Sequence, residues 1–462
     1  MLFNSLLFLL FFLIVTIGYY LIPGKFRWVW LLLASCYFYM YFKPVYVLII
    51  FFTIVVDYIA GILIENASGP KRRLFLIISI AANVGVLAFY KYFDFLAQNI
   101  NVLSALVKGP QIPLIDIILP IGLSFHTFQA MSYTIEVYRG NQKAERHLGI
   151  YALYVMFYPQ MVAGPIERPQ HILPQLHRTY QFEKGTFITG IFLMLVGLFK
   201  KVVIADRLGL YVDPVFSDPH HHSALDLLFA TYFFAIQIYC DFSGYSDMAI
   251  GAALTLGIQL MRNFNMPYLA KNISEFWARW HISLSTWFRD YVYIPLGGSR
   301  VSFTITCLNV LVVFMISGLW HGANWKYLVW GLIHGTLLII YQLSKKLKIK
   351  LNGFVWLKWL ITFNLVCLTW IFFRANSITD AAYILGKLFT GGSYTYTAGG
   401  IMQLREVFYC AFIILALIIG EWYLRNSVEF SNRKKIATAL ALGFACYFLG
   451  IFNEAQFIYF QF

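Results

Sequence analysis

Apolar residues run along this chain in long unbroken blocks, near 3–22, 26–42, 45–64, 74–90, 113–135, 149–164, 187–205, 224–240, 246–261, 302–320, 325–343, 354–373, 406–424 and 436–452. Continuous blocks of this kind predict membrane helices, because a membrane barrel would alternate apolar and polar residues instead. A helix needs about 20 apolar residues to cross a bilayer, and some blocks are shorter. The expected fold is therefore an all-α polytopic membrane protein with about eleven to thirteen transmembrane helices plus re-entrant segments. The first block begins Met1-Leu-Phe-Asn-Ser-Leu with no basic region and no small-residue cleavage site, so it is expected to be a retained span.

The interruptions carry as much information as the blocks. Pro120-Ile-Gly-Leu-Ser-Phe-His126 breaks one block near its start, because proline ends or kinks the helix before it. Phe157-Tyr-Pro-Gln-Met-Val-Ala-Gly-Pro-Ile-Glu-Arg168 is expected to be unwound, which membrane depth tolerates only against protein or a cavity. Basic clusters at 25–27, 71–73, 139–146, 345–350 and 433–435 mark expected cytoplasmic loops. They place both chain ends outside. With no long Gly/Ser or Pro linker and no internal repeat, residues 1–462 read as one transmembrane domain with an aromatic tail at 456–462.

Composition narrows the class. The 462 residues are 60% hydrophobic and 12% charged, with a mean hydropathy of +0.69. Soluble proteins carry about twice that charged fraction. The net charge of +14 fits basic cytoplasmic loops and does not imply nucleic acid. Six cysteines lie in or beside apolar runs without C-x-x-C spacing and read as small core residues. His220, His221 and His222 are consecutive, and consecutive residues rarely converge on one ion, so a solvated loop and no metal site are expected.

Against that background the stretch from Arg262 to His334 is unusually polar. It carries Arg279, His281, Arg289 and Asp290 among Trp277, Trp280 and Trp287, and such charges must face protein or water and not lipid. His321 ends the span 302–320, within Gly318-Leu-Trp-His-Gly-Ala-Asn324, where small neighbours permit close approach. A desolvated imidazole is kept neutral, which suits a general base that activates a hydroxyl. The competing reading is a hydrogen-bonded packing histidine, and for His126, His281 and His334 packing is the better individual reading. Arg279 and Arg289 suit phosphates of a donor or lipid head groups, or else interfacial anchoring. Asp241 and Asp247 lie between apolar runs and need partners, for which Arg or His of the central stretch are expected. The terminal Gln456-Phe-Ile-Tyr-Phe-Gln-Phe462 should dock somewhere, since exposed aromatics are unfavourable, or else lie in an interfacial aromatic belt.

Together these residues resemble the membrane-bound O-acyltransferases, in the branch of the bacterial alginate O-acetylation membrane proteins. The resemblance rests on Lys91-Tyr-Phe, Pro120-Ile-Gly-Leu-Ser-Phe, Gly164-Pro, Asp241-Phe-Ser-Gly-Tyr-Ser-Asp-Met-Ala-Ile-Gly, Glu275 to Tyr291, Gly318 to Asn324 and the terminal Phe-Ile-Tyr-Phe-Gln-Phe. It implies helices around a central pore, with His321 as the catalytic histidine and His281 as a second candidate. Arg279, Arg289, Trp320, Asn324 and Asp241 are then substrate-binding candidates. It also implies no permanently bound cofactor, acetyl-CoA or another acyl thioester as cytoplasmic donor, and an exported or cell-envelope polysaccharide as acceptor. Alginate, peptidoglycan, another exopolysaccharide and a secondary wall polymer remain open as acceptors. An extracytoplasmic esterase-like partner, contact with membrane lipid and residence in a bacterial cytoplasmic membrane follow from the same resemblance. Tyr459 is expected to be an acyl relay, because a separate small partner in a related system ends in a similar tail. The competing class is a channel or transporter without covalent chemistry.

Overall fold

A computed structural model describes residues 1–349, 354–390, 404–425, 427–452 and 457–458, with the side chains of 404, 405 and 428 left aside. All regular structure among the described residues is helical. Among the described residues, eight helical segments are long and apolar enough to cross a membrane: Pro44–Asn66, Gly69–Leu106, Lys184–Ser217, Ala224–Thr255, Phe303–His321, Trp325–Lys346, Val355–Arg374 and Glu406–Leu424. This is a multi-pass membrane protein. Other apolar blocks form shorter helices, such as Leu6–Leu21, Arg27–Met40 and Leu148–Met156. The block at 113–135 is not one helix: Pro110, Pro113 and Pro120 fall in a non-helical stretch, and the helix Leu123–Arg139 begins only after Gly122, at φ 74°.

The chain divides into two compact units, Met1–Ile191 with Ala249–Met261, and Phe192–Met248 with Arg262–Phe462. Two of the boundaries fall inside the helices Lys184–Phe199 and Ala224–Thr255, which is why no linker marks them in the sequence. In the first unit the helix Leu123–Arg139 is buried over almost its whole length. Beside it, Asp57 accepts from Ser79 Oγ at 2.6 Å and from Asn83 Nδ2 at 2.8 Å, and Ser79 Oγ also reaches Thr134 Oγ1 at 3.0 Å. The segment 157–168 is non-helical and almost wholly buried, as its two prolines require. Two of its polar groups find partners within the unit: the Tyr158 N–H donates to Ser35 Oγ and Gln160 Nε2 to the Tyr154 carbonyl.

The second unit is built around two features. One is an antiparallel helical hairpin, Phe303–His321 and Trp325–Lys346, joined by a three-residue turn. The other is the helix Ala224–Thr255 with the π-helical turn Lys200–Ala205 packed against its middle. A π turn is uncommon and concentrates at functional positions. Here it carries two adjacent lysines after an apolar stretch, and both find carboxylates. Each feature holds one part of the candidate site.

Candidate active site

The hairpin fixes His321. The two helices meet through glycine: a Cβ on Gly318 would overlap the Tyr327 carbonyl oxygen, and one on Gly331 would overlap the Phe314 carbonyl oxygen. Small residues let membrane helices approach this closely. His321 is the last residue of its helix and is 4% exposed. Its ring is walled by aromatic edges, with centroids 5.0 Å from Trp320, 5.0 Å from Trp330 and 5.3 Å from Phe373. Three rings around one imidazole exclude water and raise the strength of any charge interaction inside.

His281 also lies against Trp320, its ring centroid 6.0 Å from that indole. The residue is fully buried and adopts φ 42°, ψ 56°, a left-handed conformation that costs free energy outside glycine. Asn263 compensates. Its Nδ2 donates to Ser246 Oγ at 3.3 Å, which leaves Oδ1 to accept from Ser283 Oγ at 3.0 Å and from His281 Nδ1 at 3.1 Å. Backbone pairing of Ile282 N–H with the Asn263 carbonyl locks the same loop. The tautomer is thereby set: Nδ1 carries the proton and Nε2 the lone pair. Burial pushes the imidazole down from 6.5 to about 3, so it is neutral over the physiological range.

Asp241 has partners other than the expected Arg and His. Lys201 Nζ donates to its Oδ1 at 2.6 Å and also pairs with Asp206 at 2.8 Å, while Lys200 pairs with Asp247 at 2.9 Å. The second carboxylate oxygen, Oδ2, accepts the backbone N–H of Ile458 at 2.9 Å. Asp241 thus binds the end of its own chain. Phe457 follows suit: it is 2% exposed, with its ring 5.1 Å from Tyr245 and 5.6 Å from Phe242. Phe242 in turn lies edge-on to His281 at 4.6 Å. A continuous run of rings therefore links the tail to Phe242, His281, Trp320 and His321. Of the tail residues, Gln456 and Tyr459 through Phe462 lie outside the described residues.

The structure separates the remaining candidates from this cluster. Asn324 is exposed and caps the helix Trp325–Lys346, its Oδ1 accepting from the Lys326 N–H at 3.0 Å. Arg279 pairs with Glu275 at 2.7 Å, and the exposed Arg289 with Asp290 at 2.8 Å, both within their own helical turns. Trp320 is at the centre of the cluster. His334 is a helix-packing residue, its Nε2 2.9 Å from Thr369 Oγ1. His220 faces Asp380 and His221 faces Asp218, so two of the three adjacent histidines turn to different carboxylates. Sequence reasoning missed Asn263, Phe242 and Lys201. Only Lys201 left a signal, as half of a lysine pair interrupting the apolar block 187–205.

Comparison with known proteins gives this geometry a chemistry. The profile of the membrane-bound O-acyltransferase family matches residues 147–379, which include both histidines and Asp241. The chain is 36% identical over 433 residues to a probable alginate O-acetylase of Azotobacter vinelandii, covering 92% of this chain and 85% of that one. It is 37% identical over 420 residues to a peptidoglycan O-acetyltransferase of Helicobacter pylori, covering 83% and 79%. A teichoic acid D-alanyltransferase of Bacillus subtilis is 28% identical over 282 residues, covering 58% and 71%.

Proposed function

Because this chain belongs to the membrane-bound O-acyltransferase family and is an O-acyltransferase, we propose that it relays an acetyl group from a cytoplasmic thioester to an exported or cell-envelope polysaccharide. The single observation that carries the relay is the seating of Phe457 and Ile458 on Phe242 and Asp241, one ring away from His281. The residue that follows Ile458 is Tyr459. Its hydroxyl is the acyl acceptor in this reading, and His321 is the base.

In the first step His321 takes the phenolic proton as the oxygen attacks the thioester carbonyl. The C–O bond forms, the C–S bond breaks, and the thiol leaves with the proton from the imidazolium. A phenol with a pKa near 10 is a poor nucleophile without such a base. The aromatic walls around His321 exclude water, which protects the thioester from hydrolysis. In the second step a serine of an extracytoplasmic esterase-like partner attacks the phenyl ester, whose phenolate is a better leaving group than an alkoxide, and the phenol recovers its proton. His281, fixed by Asn263, holds Trp320 and Phe242 in place between the tail and His321. The donor is acetyl-CoA or another acyl thioester, used as substrate, and the setting is a bacterial cytoplasmic membrane.

Two variants test the proposal. His321→Ala should abolish envelope O-acetylation, a loss of about 10²-fold or more for a general base, while the protein is still inserted and folded. Tyr459→Phe keeps the aromatic packing and loses only the hydroxyl. Relay requires it to be as inactive as a chain cut after Ala455, with no acetylated tail peptide by mass spectrometry. Near-normal acetylation by Tyr459→Phe would end the relay.

A further inference from the structure

The C-terminal tail is held at two backbone positions, and both belong to one small platform. The Ile451 N–H donates to the carbonyl of Val202 at 2.9 Å. The Ile458 N–H donates to Asp241 Oδ2 at 2.9 Å, and Asp241 Oδ1 is held by Lys201 at 2.6 Å. Val202 and Lys201 are neighbours on the π-helical turn Lys200–Ala205. A π turn departs from the regular i to i−4 pairing, so a carbonyl within it can be turned to a partner outside the helix. Here the Val202 carbonyl serves the tail.

The charges explain why the second bond forms. Lys201 is one cation between two buried carboxylates, Asp206 and Asp241, at 2.8 and 2.6 Å. One positive charge cannot neutralise both, and Asp241 is 1% exposed, so water does not make up the difference. Among the described residues, the donor supplied to Asp241 Oδ2 is the Ile458 N–H. A buried carboxylate oxygen left without a donor is costly, so the Ile458 N–H supplies Asp241 with a bond that favours the docked tail. Phe457, stacked beside Tyr245 and Phe242, sets which residue of the tail arrives there.

We propose that Asp241, oriented by Lys201, is the clasp that seats the C-terminal tail, and that the π turn is its docking platform. Asp241 is then a positioning residue for the tail and does not bind substrate. The proposal rests on the tail taking part in transfer, but the clasp itself is a statement about docking, and the two can be separated.

The full-length chain carrying p-benzoylphenylalanine at position 457 provides the readout. Irradiation should join the tail to the segment containing Phe242 and Tyr245, scored by mass spectrometry of the linked peptides, with envelope O-acetylation measured in parallel. Asp241→Asn should lower the crosslink about tenfold. Ile458→Pro, which removes the same hydrogen bond from the tail side without touching the helices, should do the same. Ile458→Ala keeps the N–H and should stay within about threefold of the parent. Asp247→Asn changes a carboxylate that pairs with Lys200 and should leave the crosslink unchanged. If Asp241→Asn is not folded, Ile458→Pro against Ile458→Ala decides alone. An undiminished crosslink in Ile458→Pro overturns the clasp, even where Tyr459→Phe is inactive and the relay stands. A crosslink lost in both clasp variants with O-acetylation at the parental level leaves the clasp in place and removes the relay.

Discussion

Two buried aspartates, one in each unit, solve the same problem in opposite ways. Asp57 is 0% exposed and is met by neutral donors, Ser79 Oγ and Asn83 Nδ2, all on helices of the first unit. Asp241 is 1% exposed and is met by a lysine and by a backbone N–H from 217 residues further along the chain. The first network is closed: every partner is fixed by the same helix packing that buries the acid. The second takes a partner for its other oxygen from Ile458, outside the packed helices. A buried polar group that finds all its partners on packed helices is glue; one completed by a distant non-helical segment is a dock.

The largest effect should come from Lys201→Met. It strands Asp206 and Asp241 without their cation, and breaking a buried pair from one side costs about 3–5 kcal/mol. Thermal unfolding in detergent should show a steep loss, partly restored by adding Asp206→Asn, which removes one of the two charges. If the double variant is no better than the single, the charge argument is wrong. Asp57→Asn should cost less, about 1–2 kcal/mol, because only one hydrogen bond to Asn83 is lost. Acetylation per folded molecule should stay at the parental level in Asp57→Asn. Equal destabilisation by the two substitutions would erase the difference between glue and dock.

A third effect, comparable in size to that of Asp57→Asn, is a pH dependence. His281 is held neutral in the fold at about 3, against 6.5 when exposed. Between those values the unfolded chain binds a proton that the folded chain refuses, so stability falls as pH drops below about 6.5. The slope from this one group approaches about 1.4 kcal/mol per pH unit. Unfolding measured from pH 7 to 5 should be steeper in the parent than in His281→Gln. Parallel curves would show that the buried imidazole accepts a proton without loss of the fold.

The spans were legible because hydrocarbon demands long apolar runs, and 302–320, 325–343 and 354–373 correspond closely to the helices Phe303–His321, Trp325–Lys346 and Val355–Arg374. The place of His321 at the end of a span was legible because glycines and a tryptophan surround it in sequence and the hairpin needs them there. The capping role of Asn324 was also legible, since an asparagine directly before an apolar run is a common helix cap. The partner of Asp241 was not legible. It lies 40 residues away on another segment, and nothing local says that a lysine in an apolar block points at an acid rather than at the membrane surface. Asn263 was hidden for the same reason, since its value lies in a left-handed residue 18 positions later.

The glycine contacts of the hairpin bear on how variant data for this protein should be read. At Gly318 and Gly331 even a methyl group collides with the backbone of the facing helix, so an alanine at either position displaces the segment that ends in His321. An activity screen would score such a variant as inactive beside the proposed effect of His321→Ala, though it changes only helix packing. Ranking positions by lost activity alone would draw a catalytic map several residues too wide and centred on the hairpin seam. Pairing each activity with a measure of folded protein would separate the scaffold from the chemistry.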